Sequence, residues 1–247
     1  MTRNLDRYQQ EYDAMPFEET MAKARKRVIL EFLRQHQCHD ILEVGCAGKP
    51  LVKDLGVDDF RSCVVLEPGR TYFEQAQAAV QAHRARERIQ LYQQPFEEFG
   101  GNIPVDCIII SSLLHELSTP AAMLQHAFSI APKGCWIHVD VPNAKSFHRL
   151  WAAESGLIKT EYEKSATQVR LQQSHTFDSE SLQRLVNESG FKVIESGSYF
   201  IKPFTHAQMQ QLIDLGLLTE ELLLGLTKME RHLPGMGAEI FVHARKA

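Results

Sequence analysis

Two carboxylates and a pair of glycines recur where apolar runs stop. Residues 40–50 read "DILEVGCAGKP" and residues 64–69 read "VVLEPG", so Glu43, Gly45, Ala47 and Gly48 close one run and Glu67 closes another. A carboxylate has enough lone pairs to accept two hydroxyls at once, which suits the paired hydroxyls of a ribose. Glycines let backbone approach a ligand closely, and a helix that follows offers unpaired N–H groups. Taken singly, "GCAG" reads as a tight turn and Glu67 as a solvated strand end. Together, in step on consecutive strands, they point to a cofactor that contains a nucleoside.

A second set of residues could move protons or hold an acceptor. His115 and Glu116 follow an apolar run in "SSLLHELS", His148 and Arg149 lie in "VPNAKSFHRL", His175 in "QQSHTFD", and Lys202 with His206 in "FIKPFTH". The three earlier histidines are the candidate general bases. Arg149, Glu116 and Lys202 are candidate substrate contacts, and an Arg beside a His suits a carboxylate or phosphate. The plainer alternatives are a backbone-bonded histidine at a helix start and a solvated cap. No H-x-x-x-H or H-E-x-x-H spacing occurs, so no metal site is expected. The five cysteines include no C-x-x-C pair, which fits reduced, buried thiols.

These residues need a scaffold, and the chain alternates short β-rich runs with helical stretches. Strands are expected at Asp40–Val44, Cys63–Glu67, Ile89–Gln93, Val105–Ser111 and Gly134–Val141, with helices in "RTYFEQAQAAVQAHRAR" and "PAAMLQHAFSIA". Such alternation builds a doubly wound, mostly parallel sheet of α/β class. A capped helix in "FDSESLQRLVNESG", two helices between 203 and 237, and two final strands in "FKVIESGSYFIK" and "AEIFVHARK" complete it. The whole reads as one domain: a helical cap over 1–37, a cofactor-binding core over 38–143, and a substrate-side insert with the last strands over 144–247.

With 44% hydrophobic and 23% charged residues, the composition supports a full core. A net charge of −4 argues against a nucleic-acid partner held by bulk positive charge. The N-terminus carries no apolar signal segment and no run approaches a membrane span, so a cytoplasmic protein without membrane contact is expected.

The dinucleotide fingerprint needs a third glycine near Leu51 and Val52, and none is present. The chain instead resembles the class I S-adenosylmethionine-dependent methyltransferases: "ILEVGCAG", "VVLEPG", "VDCIIISSLLHEL", "APKGCWIHVDVPN" and the two last strands are similar to its motifs in order. The resemblance implies seven strands with a C-terminal antiparallel strand. It also implies S-adenosylmethionine as cofactor and methyl transfer to an oxygen or nitrogen of a small polar, possibly anionic, metabolite. Carried over, it puts Glu43 beneath the methionine moiety, Gly45 in close backbone contact, Glu67 on the ribose and Ser111 near the methionine amino group. Gln94 and Phe96 stand where the adenine is read, and Arg25 could meet the methionine carboxylate or be part of a solvated helix face. The family's later glycines fall near Ala47 and Lys49. Many members read Leu-Glu-His where this chain has Leu-His-Glu, which leaves open whether His115 or Glu116 faces the pocket. The alternatives are a non-catalytic or regulatory protein on the same fold and a nicotinamide-dependent reductase. The expected assembly is a monomer or homodimer.

Overall fold

The computed structural model describes residues 5–101 and 103–247. The first four residues of the expected N-terminal cap lie outside the described residues. Two helices come first, α1 (Leu5–Asp13) and α2 (Glu18–His36). Five strands follow: β1 (Asp40–Val44), β2 (Ser62–Leu66), β3 (Ile89–Tyr92), β4 (Cys107–Ser111) and β5 (Trp136–Pro142). Helix α3 (Arg70–Ala82) joins β2 to β3, and α4 (Pro120–Ile130) joins β4 to β5. Beyond β5 lie α5 (Phe147–Glu154), α6 (Ala166–Arg170), α7 (Ser179–Glu188), β6 (Lys192–Tyr199), α8 (His206–Asp214), α9 (Glu220–Lys228) and β7 (Glu239–Arg245). Strand β1 has its expected bounds and the ends of β2 to β5 lie within two residues of expectation, so Glu67 is the first residue past β2.

The seven strands pair in the order β3-β2-β1-β4-β5-β7-β6, with β7 antiparallel to both neighbours. Strand order reverses between β1 and β4, which opens a crevice at their carboxyl ends. Side chains alternate between two covered faces, as parallel strands require. Ile41, Cys63, Val65, Cys107 and Ile109 pack under α2 and α3, while Leu42, Val64, Ile108 and Ile110 pack under α4 and α7. All five cysteines are free and buried.

Helix α2 turns Met21, Arg25, Ile29, Phe32 and Leu33 inward at three- and four-residue spacing. Lys23 and Arg27 stay exposed, but Arg25 falls on the apolar stripe and is buried, not solvated. Strand β5 breaks the apolar rule on the same face, with His138 and Asp140 fully buried opposite Ile109 and Ser111. A polar seam therefore runs beneath α2.

The segment between β5 and α7 is an insert pinned at several points. Arg149 donates to the carbonyls of Glu161 and Glu163, and Tyr162 Oη donates to Asp178 at 2.6 Å. The backbone N–H groups of Ser174 and His175 both donate to His115 O, at 2.9 and 3.0 Å, so the insert closes over the turn after β4. Asp178 caps α7 by accepting from Ser181 N at 2.8 Å, as its sequence signature predicts. No helix among the described residues is long and apolar enough to cross a membrane.

Candidate active site

A cavity of about 690 Å³ opens at the switch point between β1 and β4, within the size range of small-molecule sites. Its floor comes from strand ends and the loops after them: Glu43, Gly45, Ala47, Glu67, Gln94, Phe96 and Ser111. Its roof comes from α1, α2 and the turn between them, including Tyr12, Met15, Glu18 and Arg25.

The loop after β1 rises in left-handed backbone, with φ of +76° at Gly45, +46° at Ala47 and +72° at Gly48. A Cβ on Gly45 would stand 3.6 Å from Leu113 Cδ2, and both residues line the cavity, so a side chain there would intrude on the space. Gly48 is glycine for another reason. It is not part of the lining, and a Cβ there would collide with the Gln75 amide.

Glu67 organises this loop. One carboxylate oxygen accepts from Cys46 N at 3.1 Å and Ala47 N at 3.0 Å, and the other from Gly69 N at 2.9 Å. Burial raises its pKa, and those N–H groups oppose the rise. Glu43 accepts from Leu51 N at 2.9 Å, and burial pushes it up to about 7. Two carboxylates with spare lone pairs beside open glycine backbone suit a ligand that is cationic and bears hydroxyls.

On the far side of the cavity the polar seam reaches the lining. Ser111 Oγ donates to Asp140 Oδ2 at 2.8 Å, Ser112 N donates to Oδ1 at 2.9 Å, and His138 Nε2 sits 2.8 Å from Oδ2. Burial opposes a charge on Asp140, but the bond and charge of His138, then Arg25 and Ser111, hold its pKa below the usual range. Arg25 lies 3.5 Å from Asp140, 3.0 Å from Glu18, and forks onto Glu239. Tyr12 Oη donates to Glu18 at 3.1 Å, which ties the roof to this network.

The residues singled out from sequence divide into three groups. Arg25, Glu43, Gly45, Ala47, Glu67, Gln94, Phe96, Ser111 and Glu116 line the cavity. His115 and His175 do not: Glu116 faces the space, while His115 is buried behind it with its carbonyl taken by the insert. His175 Nε2 lies 3.3 Å from Ser118 O in the same layer. His148, Arg149 and Lys202 form a separate basic group beyond β5 and β6, outside the lining. Burial, Lys202 and Arg149 depress His148 to about 2, and burial lowers Lys202 to about 8. Arg149 is occupied in holding the insert by its carbonyls.

Sequence reasoning passed over Asp140 and Glu239. The one available signal was a charged residue inside an apolar strand pattern, in "WIHVDVP" and "AEIFVHA".

A family profile described as a methyltransferase domain matches residues 15–196. The chain belongs to this family, the class I S-adenosylmethionine-dependent methyltransferases, and is a methyltransferase with S-adenosylmethionine as its cofactor. Among solved structures, it is similar to magnesium protoporphyrin IX methyltransferase of Synechocystis PCC 6803 with bound S-adenosylhomocysteine (TM-score 0.62, 11% identity, 98% of this chain and 94% of that one). It is also similar to a possible histamine N-methyltransferase of Thermotoga maritima (TM-score 0.58, 14% identity, 97% and 100%). A third is the putative methyltransferase of Haloferax volcanii in complex with the Trm112 activator (TM-score 0.61, 11% identity, 96% and 96%). At these identities the likeness is one of fold. No curated protein matches the chain.

Proposed function

We propose that this methyltransferase acts on a nitrogen of a small polar metabolite. The observation that carries this reading is the acidic character of the cavity wall. Asp13, Glu18, Glu19, Glu43, Glu67, Glu97 and Glu116 line it against Arg25, Lys26, Lys49 and Arg70, whereas His148, Arg149 and Lys202 stand outside the lining. Arg25, the cation nearest the polar seam, is already claimed by Glu18 and Glu239. Lys26 and Arg70 are paired with Asp54 and Glu74, and the lining carboxylates outnumber the lining cations, so an amine would be favoured over an anion.

Within the cavity, Glu67 would accept the ribose hydroxyls while it keeps the loop N–H groups. Gln94 would present its amide to the adenine edge and Phe96 an apolar wall to its ring. Gly45 and the Ser111 backbone would flank the methionine end, with Glu43 beneath. S-adenosylmethionine, when bound, supplies a methyl group on a positively charged sulfur. The chain's own contribution is then alignment, exclusion of water by α1 and α2, and an unprotonated acceptor nitrogen. Glu116, which lines the cavity, would take the amine's proton, and alignment alone can supply roughly 7–11 kcal/mol of barrier reduction.

The test is methyl transfer from isotopically labelled S-adenosylmethionine to matched panels of small amines, alcohols and carboxylates. Turnover confined to the amine panel supports the proposal. Turnover confined to carboxylates or alcohols overturns the nitrogen assignment, while binding of S-adenosylhomocysteine measured by calorimetry reports on the cofactor site separately.

A further inference from the structure

Beneath α2, away from the cavity, three elements distant in sequence bring imidazole and carboxylate groups together. His36 lies in the last turn of α2, Glu195 on the edge strand β6 and His243 on β7. One donor atom from each lies within 4.8 Å of the other two. We propose that His36, Glu195 and His243 form a binding site for a divalent transition metal of the Zn²⁺ type.

The donor set is the first argument. Two imidazoles and one carboxylate suit Zn²⁺ and its first-row neighbours and do not suit Mg²⁺ or Ca²⁺, which take oxygen ligands. Ligand bonds of about 2.0–2.2 Å at tetrahedral angles place ligand atoms about 3.3–3.5 Å apart. His243 Nδ1 and Glu195 Oε2 are already 3.2 Å apart, so only a modest inward turn of His36 is required.

The local backbone is the second argument. Pairing of β6 with β7 runs Val193 opposite Ala244 and then Glu195 opposite His243, with a register shift between. Regular pairing would put Ile194 opposite His243. The bulge instead sets a carboxylate beside the imidazole and leaves Ile194 half exposed, and bulges of this kind re-aim side chains on edge strands.

The third argument is polar atoms that the fold leaves unused. His36 Nε2 is buried with no hydrogen-bond partner among the described residues, and His243, 4% exposed, uses its Nδ1 only toward Glu195. A simple histidine–carboxylate bond accounts for His243 and Glu195 but gives His36 nothing to do. Burial lowers the pKa of both rings, which leaves their lone pairs available. His36 is held by Trp136, whose ring lies 3.9 Å from its own, and by Phe32 at 5.0 Å. The neighbouring cation Arg245 is turned away onto Gly134 O at 2.8 Å. Glu195, 46% exposed in its side chain, provides access from solvent. A metal here would fasten α2 to the antiparallel edge of the sheet, and no sequence motif announces it because the ligands are spread over 36, 195 and 243.

The experiment is titration of the chelator-treated full chain with Zn²⁺ against a chromophoric chelator, with Co²⁺ absorption as a probe of four-coordinate geometry. One equivalent bound at micromolar affinity or tighter is expected, with a rise in melting temperature. Glu195→Gln and His36→Asn should each weaken binding at least tenfold, and His232→Asn, at an exposed histidine elsewhere, should not. Glu195→Gln alters a half-exposed side chain, so its result does not depend on refolding of the core. Absence of stoichiometric binding, or binding unchanged by both substitutions, would overturn the site.

Discussion

The guanidinium of Arg25 in α2 forks onto the carboxylate of Glu239, the first residue of β7, across 214 residues of chain, with Nε to Oε2 at 3.0 Å. Glu18, two turns earlier on the same helix face, and Asp140 of β5 close on the same cation. Glu239 also accepts from Tyr199 Oη. One buried charge thus fixes the roof of the cavity to β5 and β7, two strands that lie outside its lining.

Removing that charge should be costly. Arg25→Ala leaves Glu18, Glu239 and Asp140 in a dry interior without their shared partner, and breaking a buried ion pair costs about 3–5 kcal/mol. Arg25→Lys keeps the charge but not the two-point fork, so its loss should be smaller, about 1.5–3 kcal/mol. Urea unfolding of the three proteins measures this. A loss under about 1 kcal/mol for Arg25→Ala would mean the carboxylates take up protons instead.

Glu67 has two tasks, and they separate by substitution. Its oxygens hold the N–H groups of Cys46, Ala47 and Gly69, and its remaining lone pairs are the ones offered to a ribose. Glu67→Ala should weaken S-adenosylmethionine at least tenfold, equivalent to about 1.4 kcal/mol. Glu67→Gln retains one amide oxygen and should fall between. Calorimetry decides it; unchanged affinity in Glu67→Ala removes the ribose role.

Glu43 makes stability depend on pH in a direction opposite to most carboxylates. Burial raises its folded pKa to about 7, above the usual 4.5 of an unfolded glutamate, so the folded chain holds the extra proton between those values. Stability linked to this group is therefore full below pH 4.5 and falls as pH rises toward 7, by about 3 kcal/mol at most. Glu43→Gln mimics the protonated form and should remove the dependence. Denaturation at pH 5 and pH 8 should show the variant gaining on the parent as pH rises; a constant difference would contradict the raised pKa.

What could be read in advance followed from repetition. Apolar runs of four to seven residues ending in Gly45 or Glu67 mark parallel strands and their ligand edge, because both faces of such strands are buried and only their ends meet a ligand. Side-chain direction in the irregular turn at Leu114–Glu116 has no such period, so the sequence left His115 and Glu116 equal and only the three-dimensional turn separates them. Arg25 shows the same limit. Four basic residues in "KARKR" look alike, and the one on the apolar stripe is buried because Glu239, two hundred residues away, supplies its partner. Long-range pairs of charge leave no local pattern.

The turn after β4 gives the last prediction. Glu116 faces the cavity and His115 lies behind it, 3.8 Å from Glu116 Oε1 through its Nε2. If Glu116 takes the proton of an amine acceptor, Glu116→Gln should lower kcat by about 10²–10⁴ while leaving S-adenosylhomocysteine affinity within about twofold. The loss should be rescued as pH rises and the free amine supplies its own unprotonated form. His115→Ala should instead lower thermal stability, since a 3% exposed ring leaves a cavity, and change kcat far less. The pH profiles of kcat for the two variants distinguish them: a kcat loss in His115→Ala larger than that in Glu116→Gln would transfer the proton-accepting role to the histidine.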